Sequence, residues 1–389
     1  MAAQTTVAVL WLSALGAQAQ EAPPTPDGAW RLANGVLVYP SVKLSVGRDD
    51  NVRATAEAPL SATVTTLAPT LKAEAQRGSG LYSLTYGGTY TRYSGYQEDS
   101  TNHHDLTATG AHTYSARSRL NWSLGWQDAV DPRADAVGAS TEPDQWRGLN
   151  LSALYSYGAQ QAKGRIETDY RYSNKRYQNN LPTTANSDVD THQVGARYFW
   201  RVMPRTQLVA EARLGSAAYR VNKANDNTDT RLLGGVTWEA TAKTTGSVKL
   251  GYQSKRFDAP GKADASGATY EASVNWKPLS YSTWTLTASR AADDALSTGD
   301  YEQSRNLGLS WSHSWGPALS SRLSVSDAST QYVNDPRQDD TLSTSAGLSY
   351  SLGRRYSLGL DLARTQRDSS LPNSNYKRST VMVSLNAAL

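Results

Sequence analysis

Five histidines, His103, His104, His112, His192 and His313, are the side chains best suited to bind a metal or move a proton, and the chain has no cysteine. None falls in a spacing such as HExxH, which sets two imidazoles on one helix face around zinc. His103 and His104 fall at a loop edge, where solvated histidines are commoner than ligands. His313 lies between Trp311 and Trp315, on a face suited to a membrane interface. Serine and aspartate are so abundant that every histidine has Ser-His or Asp-His candidates nearby, so the pattern selects none. No catalytic residue, metal or cofactor is expected. The acidic pairs Asp49-Asp50 and Asp339-Asp340 could hold a divalent cation beside lipopolysaccharide phosphates, but solvated loops are the simpler reading.

A more selective signal is the run Arg165, Glu167, Asp169, Arg171, where charge recurs at every second residue. Ile166, Thr168, Tyr170 and Tyr172 fill the positions between them, and a period of two marks a β-strand. The same rule turns Arg197 to the face opposite Val194, Ala196, Tyr198 and Trp200, and adds Glu211, Arg213, Arg231 and Glu239 from two further strands. A cationic side chain facing the midplane of a bilayer costs about 2–4 kcal/mol, so these faces must look into water. They form a patch of both signs across four adjacent strands. It reads either as ion-paired struts stiffening a wide wall or as a transverse field tuning passage through a lumen. Few aromatics share these inward positions, Phe199 among them, so an aromatic slide of the sugar-specific porin kind is not supported.

The elements that position these charges are strands throughout. The closing stretch Tyr376–Leu389 sets Val381, Val383, Leu385, Ala387 and Leu389 on one face and mostly polar residues on the other. Such a strand must pair on both edges or template aggregation. Closure onto a first strand near Val36–Val46 removes the edge. Eighteen such runs are expected, near 36–48, 62–76, 81–93, 104–116, 118–128, 146–158, 164–177, 189–202, 206–221, 230–242, 246–258, 268–277, 283–293, 304–315, 320–333, 341–352, 356–367 and 376–389. This is an all-β fold, a transmembrane antiparallel β-barrel of even strand number. Pro40 and Pro69 fall inside the first two strands, where they cannot donate to the ladder. Short, basic turns (Arg77, Arg117, Arg205, Lys243, Arg354, Arg355) alternate with long, acidic loops (Asp49, Asp50, Glu98, Asp99, Asp131, Asp226, Asp229, Asp339, Asp340). That asymmetry sets the short turns in the periplasm. The longest loop, Ala129–Gln145, could fold inward, and no plug domain is expected.

Composition agrees. Mean hydropathy is −0.56, with 11 Trp, 22 Tyr and 2 Phe, and no run past the N-terminus approaches the roughly 20 apolar residues of a spanning helix. The net charge of +4 is small and no basic run is present, which gives no reason to propose nucleic acid. Val7–Ala17 followed by Ala17-Gln18-Ala19 reads as a signal peptide over 1–19. Its first six residues lack Lys and Arg, which points to a start further upstream. The Pro-rich stretch 20–34 reads as a short flexible periplasmic lead-in, and 35–389 as the barrel.

The opening VYPSVKLSVGRDDNV, with a proline in its strand followed by Gly47, Asp49, Asp50, Asn51 and Val52, resembles the outer-membrane β-barrel porin family that includes the EpsL-like barrels of exopolysaccharide gene clusters. The ending YKRSTVMVSLNAAL is similar to that family's closing strand, with Leu389 where barrel proteins usually end in Phe. The resemblance implies an 18-stranded barrel in the bacterial outer membrane, among lipid and lipopolysaccharide. It further implies the exit of a secreted polysaccharide, with a periplasmic polysaccharide-export protein docking beneath. It brings no catalytic residues, and Gly47, Asp49, Asp50 and Asn51 are given a turn role. A general diffusion porin for small hydrophilic solutes, expected to be trimeric, is the alternative expectation, and a surface enzyme is the third.

Overall fold

The computed structural model describes residues 29–32, 35–133, 142–241, 243–295 and 298–389. The signal segment lies outside the described residues. From the lead-in, Trp30–Arg31 forms a two-residue strand that pairs back on Leu37 and Val38.

Alternation of apolar and polar residues produces long strands, and their pairing closes into one barrel. The strands are β1 (Leu37–Asp49), β2 (Ala62–Arg77), β3 (Gly80–Tyr93), β4 (Thr101–Ser115), β5 (Ser118–Val130) and β6 (Gln145–Tyr157). They continue as β7 (Gly164–Tyr177), β8 (Val189–Met203), β9 (Thr206–Tyr219), β10 (Asn227–Thr241), β11 (Thr244–Phe257) and β12 (Ala265–Leu279). The last six are β13 (Ser282–Asp294), β14 (Tyr301–Ser314), β15 (Leu319–Tyr332), β16 (Gln338–Leu352), β17 (Tyr356–Ser369) and β18 (Tyr376–Ala388). Each pairs antiparallel with its neighbours in sequence, and β18 pairs with β1 from Thr380↔Asp49 to Ala388↔Ser41. Several strands begin about one turn of pleat earlier than the alternation predicts, at Thr101, Asn227, Ala265, Tyr301 and Gln338. Most of these extensions lack apolar alternation, so the ladder continues where the sequence pattern has stopped.

The outer face is apolar and exposed: Leu232 and Leu250 keep 58% and 65% of their surface. The polar residues between them turn inward, which is the inverse of a soluble core and the normal state of a barrel in lipid. Trp284, Trp311, His313 and Trp315 cluster near the short turns, with the His313 and Trp315 rings 4.2 Å apart. His313 thus belongs to the interfacial girdle, as its spacing predicts. Pro69 leaves its mark on the ladder: β2 and β3 pair at Leu67↔Tyr90 and again at Thr70↔Gly87, with the two positions between skipped.

The residues that carry the resemblance do more than turn the chain. Asp49 is buried and ion-pairs with Arg378 of β18, Asp50 bonds the Ser379 backbone, and Asn51 Nδ2 donates to the Lys377 carbonyl. The first loop therefore clasps the closing strand to β1. At Gly47, opposite Met382, an added Cβ would lie 1.9 Å from the Val381 carbonyl oxygen, so only glycine lets the seam close this tightly.

A charged strip on the inner wall

Alternation puts Arg165, Glu167, Asp169 and Arg171 of β7 on the lumen side, and the structure buries the first three while leaving Ile166 and Tyr170 exposed on the lipid side. Arg197 of β8 reaches both ways, to Asp169 at 2.8 Å and toward Glu211 of β9 at 3.8 Å. Arg213 of β9 donates to Glu211 at 2.7 Å and to Glu271 of β12 at 2.5 Å. Lys249 of β11 completes the chain, 2.8 Å from Glu211 and 2.6 Å from Glu271. Ion pairs thus run across the inner faces of β7 to β12. Lys249 and Glu271 are additions to the sequence reading, although the same alternation that placed Glu211 also turns them inward.

The strip is layered. On β7 to β9 the carboxylates lie against the wall: the side chains of Glu211 and Asp169 are 1% and 3% exposed, whereas Glu271 of β12 is open at 29%. The guanidiniums fan over them, with Arg171 at 32% the most open. The Arg165 guanidinium covers the Phe199 ring at 4.4 Å. Two expected members stand apart. Arg231 pairs instead with Asp229 at 2.9 Å and with Asp293 of β13 at 3.8 Å. Glu239 lies beside the short β10–β11 turn, its backbone N–H bonded to the Arg205 carbonyl.

Above the strip the wall divides. Pairing of β12 with β13 stops at Tyr270↔Arg290, whereas β11–β12 continues to Lys255↔Ala265 and β13–β14 to Asp294↔Tyr301. Gln253 of β11 takes over the missing ladder: its amide accepts from the Ala292 N–H and donates to the Ala292 carbonyl, both at 2.8 Å. Beyond it, Asp294 accepts from Tyr219 of β9 and Asn227 of β10 and ion-pairs with Lys255. Tyr219 and Asp294 stand four strands apart, about 19 Å along the wall. Two side chains cannot span that, so the end of the β13–β14 hairpin has left the wall and lies over the lumen. The expectation that 129–145 folds inward falls in part on residues 134–141, which lie outside those described. One inward element among the described residues is this hairpin.

The extracellular mouth also holds buried inward aromatics that the sequence reading did not name, Tyr177, Tyr219 and Tyr376. They sit at or near the extracellular ends of the alternating runs, and cations cap two of them: Lys175 lies 4.6 Å from the Tyr177 ring and Arg367 5.2 Å from Tyr376.

The histidines gather nothing. His103 and His104 lie within β4 rather than at a loop edge, because that strand starts at Thr101. His104 and His192 face lipid and lie 2.9 Å from the hydroxyls of Tyr86 and Tyr170. His112 lies 3.3 Å from Tyr82. Among the described residues no group of three or more His, Asp or Glu is placed to hold a metal.

A closed barrel with an apolar outer face and a charged, water-facing inner wall is an outer-membrane channel. The family model Putative beta-barrel porin 2 matches residues 34–389, and the chain belongs to that family, in the bacterial outer membrane. No curated protein sequence matches the chain. Among solved structures, Pseudomonas aeruginosa OpdK with vanillate is similar at TM-score 0.50 and 12% identity, covering 90% of this chain and 99% of that one. A BenF-like porin from Pseudomonas fluorescens Pf-5 matches at TM-score 0.50 and 10% identity, over 91% and 99%. Pseudomonas aeruginosa OccK2 (OpdF) matches at TM-score 0.50 and 11% identity, over 93% and 100%. These likenesses extend to the fold.

Proposed function

We propose that the protein is a passive diffusion channel for small hydrophilic solutes that favours anions. The observation that carries this reading is the layering of the strip. With Glu167, Asp169 and Glu211 against the wall and Arg171, Arg197 and Arg213 above them, the surface that β7 to β9 offer to a solute is cationic. A permeant carboxylate can trade water for guanidinium contacts as it passes, while a cation meets repulsion. The inward hairpin supports the size limit, since it narrows the mouth on the side of β9 to β13. OpdK was solved with vanillate, itself a carboxylate, which is compatible with this chemistry in a barrel of the same shape. Lipid and lipopolysaccharide are its surroundings.

The second reading is the exit of a secreted polysaccharide above a periplasmic polysaccharide-export protein, supported by the opening VYPSVKLSVGRDDNV. The two readings part in a planar bilayer. Purified protein alone is expected to give open channels with anion-over-cation reversal potentials. Silence until a periplasmic partner is added, together with lost polysaccharide secretion on gene deletion, would sink the diffusion reading and install the export one.

A further inference from the structure

On the lipid face, Arg290 of β13 and Arg305 of β14 are direct cross-strand partners. Like charges placed directly opposite repel, and among the described residues no ion pair links either one to a carboxylate. Asp327 of β15, the outward carboxylate diagonal to Arg305, sits opposite Leu307 and Leu342. Two arginines therefore face outward together, with no carboxylate among the described residues ion-paired to either.

Their height is informative. From Trp315 at the girdle to Arg305 is ten residues of chain, about 33 Å of rise and about 25 Å of height at the usual strand tilt, which is the height of the apolar band. Leu307 and Leu309, both exposed, fill the band below. The arginines thus stand where outer-leaflet phosphates lie. The division of the wall begins at the same point, because Tyr270↔Arg290 is the last β12–β13 pair. Above it the hairpin retracts toward the lumen while β12 stays with β11. That leaves a notch in the outer surface, bordered by the small outward residues Ser266 and Ala268.

We propose that this notch seats the phosphorylated headgroup of lipopolysaccharide, with Arg290 and Arg305 holding one phosphate between them. A shared anion turns the repulsion into two charge-assisted, bidentate contacts, and the small residues leave room for the sugar. The occupant is a lipid headgroup rather than free phosphate, because the arginines continue the acyl-facing row of Leu307 and Leu309.

The test measures lipopolysaccharide retained per barrel by native mass spectrometry after mild detergent extraction. It is paired with the shift in unfolding temperature on adding lipopolysaccharide, enzymatically dephosphorylated lipopolysaccharide, or inorganic phosphate. Wild type should retain one tightly held molecule and gain a shift that needs the phosphates. Arg290→Gln/Arg305→Gln should lose at least about tenfold in retention, while Arg364→Gln, an outward arginine on unbroken wall, should lose none. Heat-modifiable migration reports whether each variant folds, and Arg290→Lys/Arg305→Lys, which keeps both charges, is expected to retain an intermediate amount. Equal retention by the double Gln variant, an equal shift from the dephosphorylated lipid, or full competition by inorganic phosphate would each overturn the proposal.

Discussion

The inner wall of β7 to β12 and that of β14 to β16 are built from the same alternation and end in opposite states. On the first, charges are stacked until Glu167, Asp169 and Glu211 are buried. On the second, the inward residues are mostly small, Arg322 apart: Ser310 and Ser312, then Ser324 and Ser326, then Ser343 and Ser345, with Ser324 and Ser345 sharing a hydrogen bond at 2.7 Å. Asn306, Arg322 and Ser326 remain exposed there. Long charged side chains on one side and hydroxyls on the other displace the open bore toward β14–β16 and leave it lit from one side by the arginine layer. A lumen of this kind needs no plug to be selective. Under the proposed function the strip combines the two roles that its spacing suggested, the buried carboxylates acting as struts and the outermost cations as the field.

The sharpest way to break this contrast is to empty the lower layer. Glu211→Gln leaves Arg197, Arg213 and Lys249 short of a buried partner, and loss of one partner of such a cluster costs about 3 kcal/mol. Urea unfolding in detergent should show that loss, whereas Ser326→Asn on the hydroxyl wall should stay within about 0.5 kcal/mol. Equal costs would mean that the two walls do not differ as described. The upper layer is tested by conductance. Arg171→Gln removes the most open cation and only the longer, 3.5 Å pair of Asp169, which keeps Arg197 at 2.8 Å, and should lower the anion-over-cation permeability ratio by about threefold at low salt, less at high salt. Gln253→Leu deletes both bonds that replace the ladder at Ala292 and should cost about 1–2 kcal/mol. Its freed hairpin should widen the channel, measured as a rise in single-channel conductance.

How far the sequence speaks for itself follows from which forces act locally. The strands, their number and the inward aspect of Arg165, Glu167, Asp169 and Arg171 were legible, because lipid on one face and water on the other write a period of two into every strand. Lys249 and Glu271 were equally legible by that rule. The departure of the β13–β14 hairpin from the wall was not, because Gln253, Asp294 and Tyr219 meet across two to four strands and no local pattern records such contacts. The same holds for the seam. The sequence offers Asp49, Asp50 and Asn51 as a turn, and only the closure of β18 on β1 brings Arg378, Ser379 and Lys377 against them.

The smallest effect should appear at the rim, where the two walls meet through loops. Asp300 accepts from the Ala263 N–H at 2.9 Å and from Asn334, tying the β11–β12 loop to the β15–β16 loop. The backbone N–H holds its carboxyl below the ordinary aspartate value of 3.8, with help from Asn334 and Lys262. A depressed folded pKa means the tie is fully present above the unfolded value and is lost as pH falls through the folded one. Between pH 5 and pH 3 the rim should loosen, seen as faster amide exchange at Ala263 and Asn334, while the ladder of β14–β16 stays protected. Asp300→Asn, which cannot titrate, should exchange at the same intrinsic-rate-corrected level at both pH values. If wild type does so too, the rim is held by the hairpin and not by this carboxylate, and the off-centre bore rests on Asp294 and Gln253 alone.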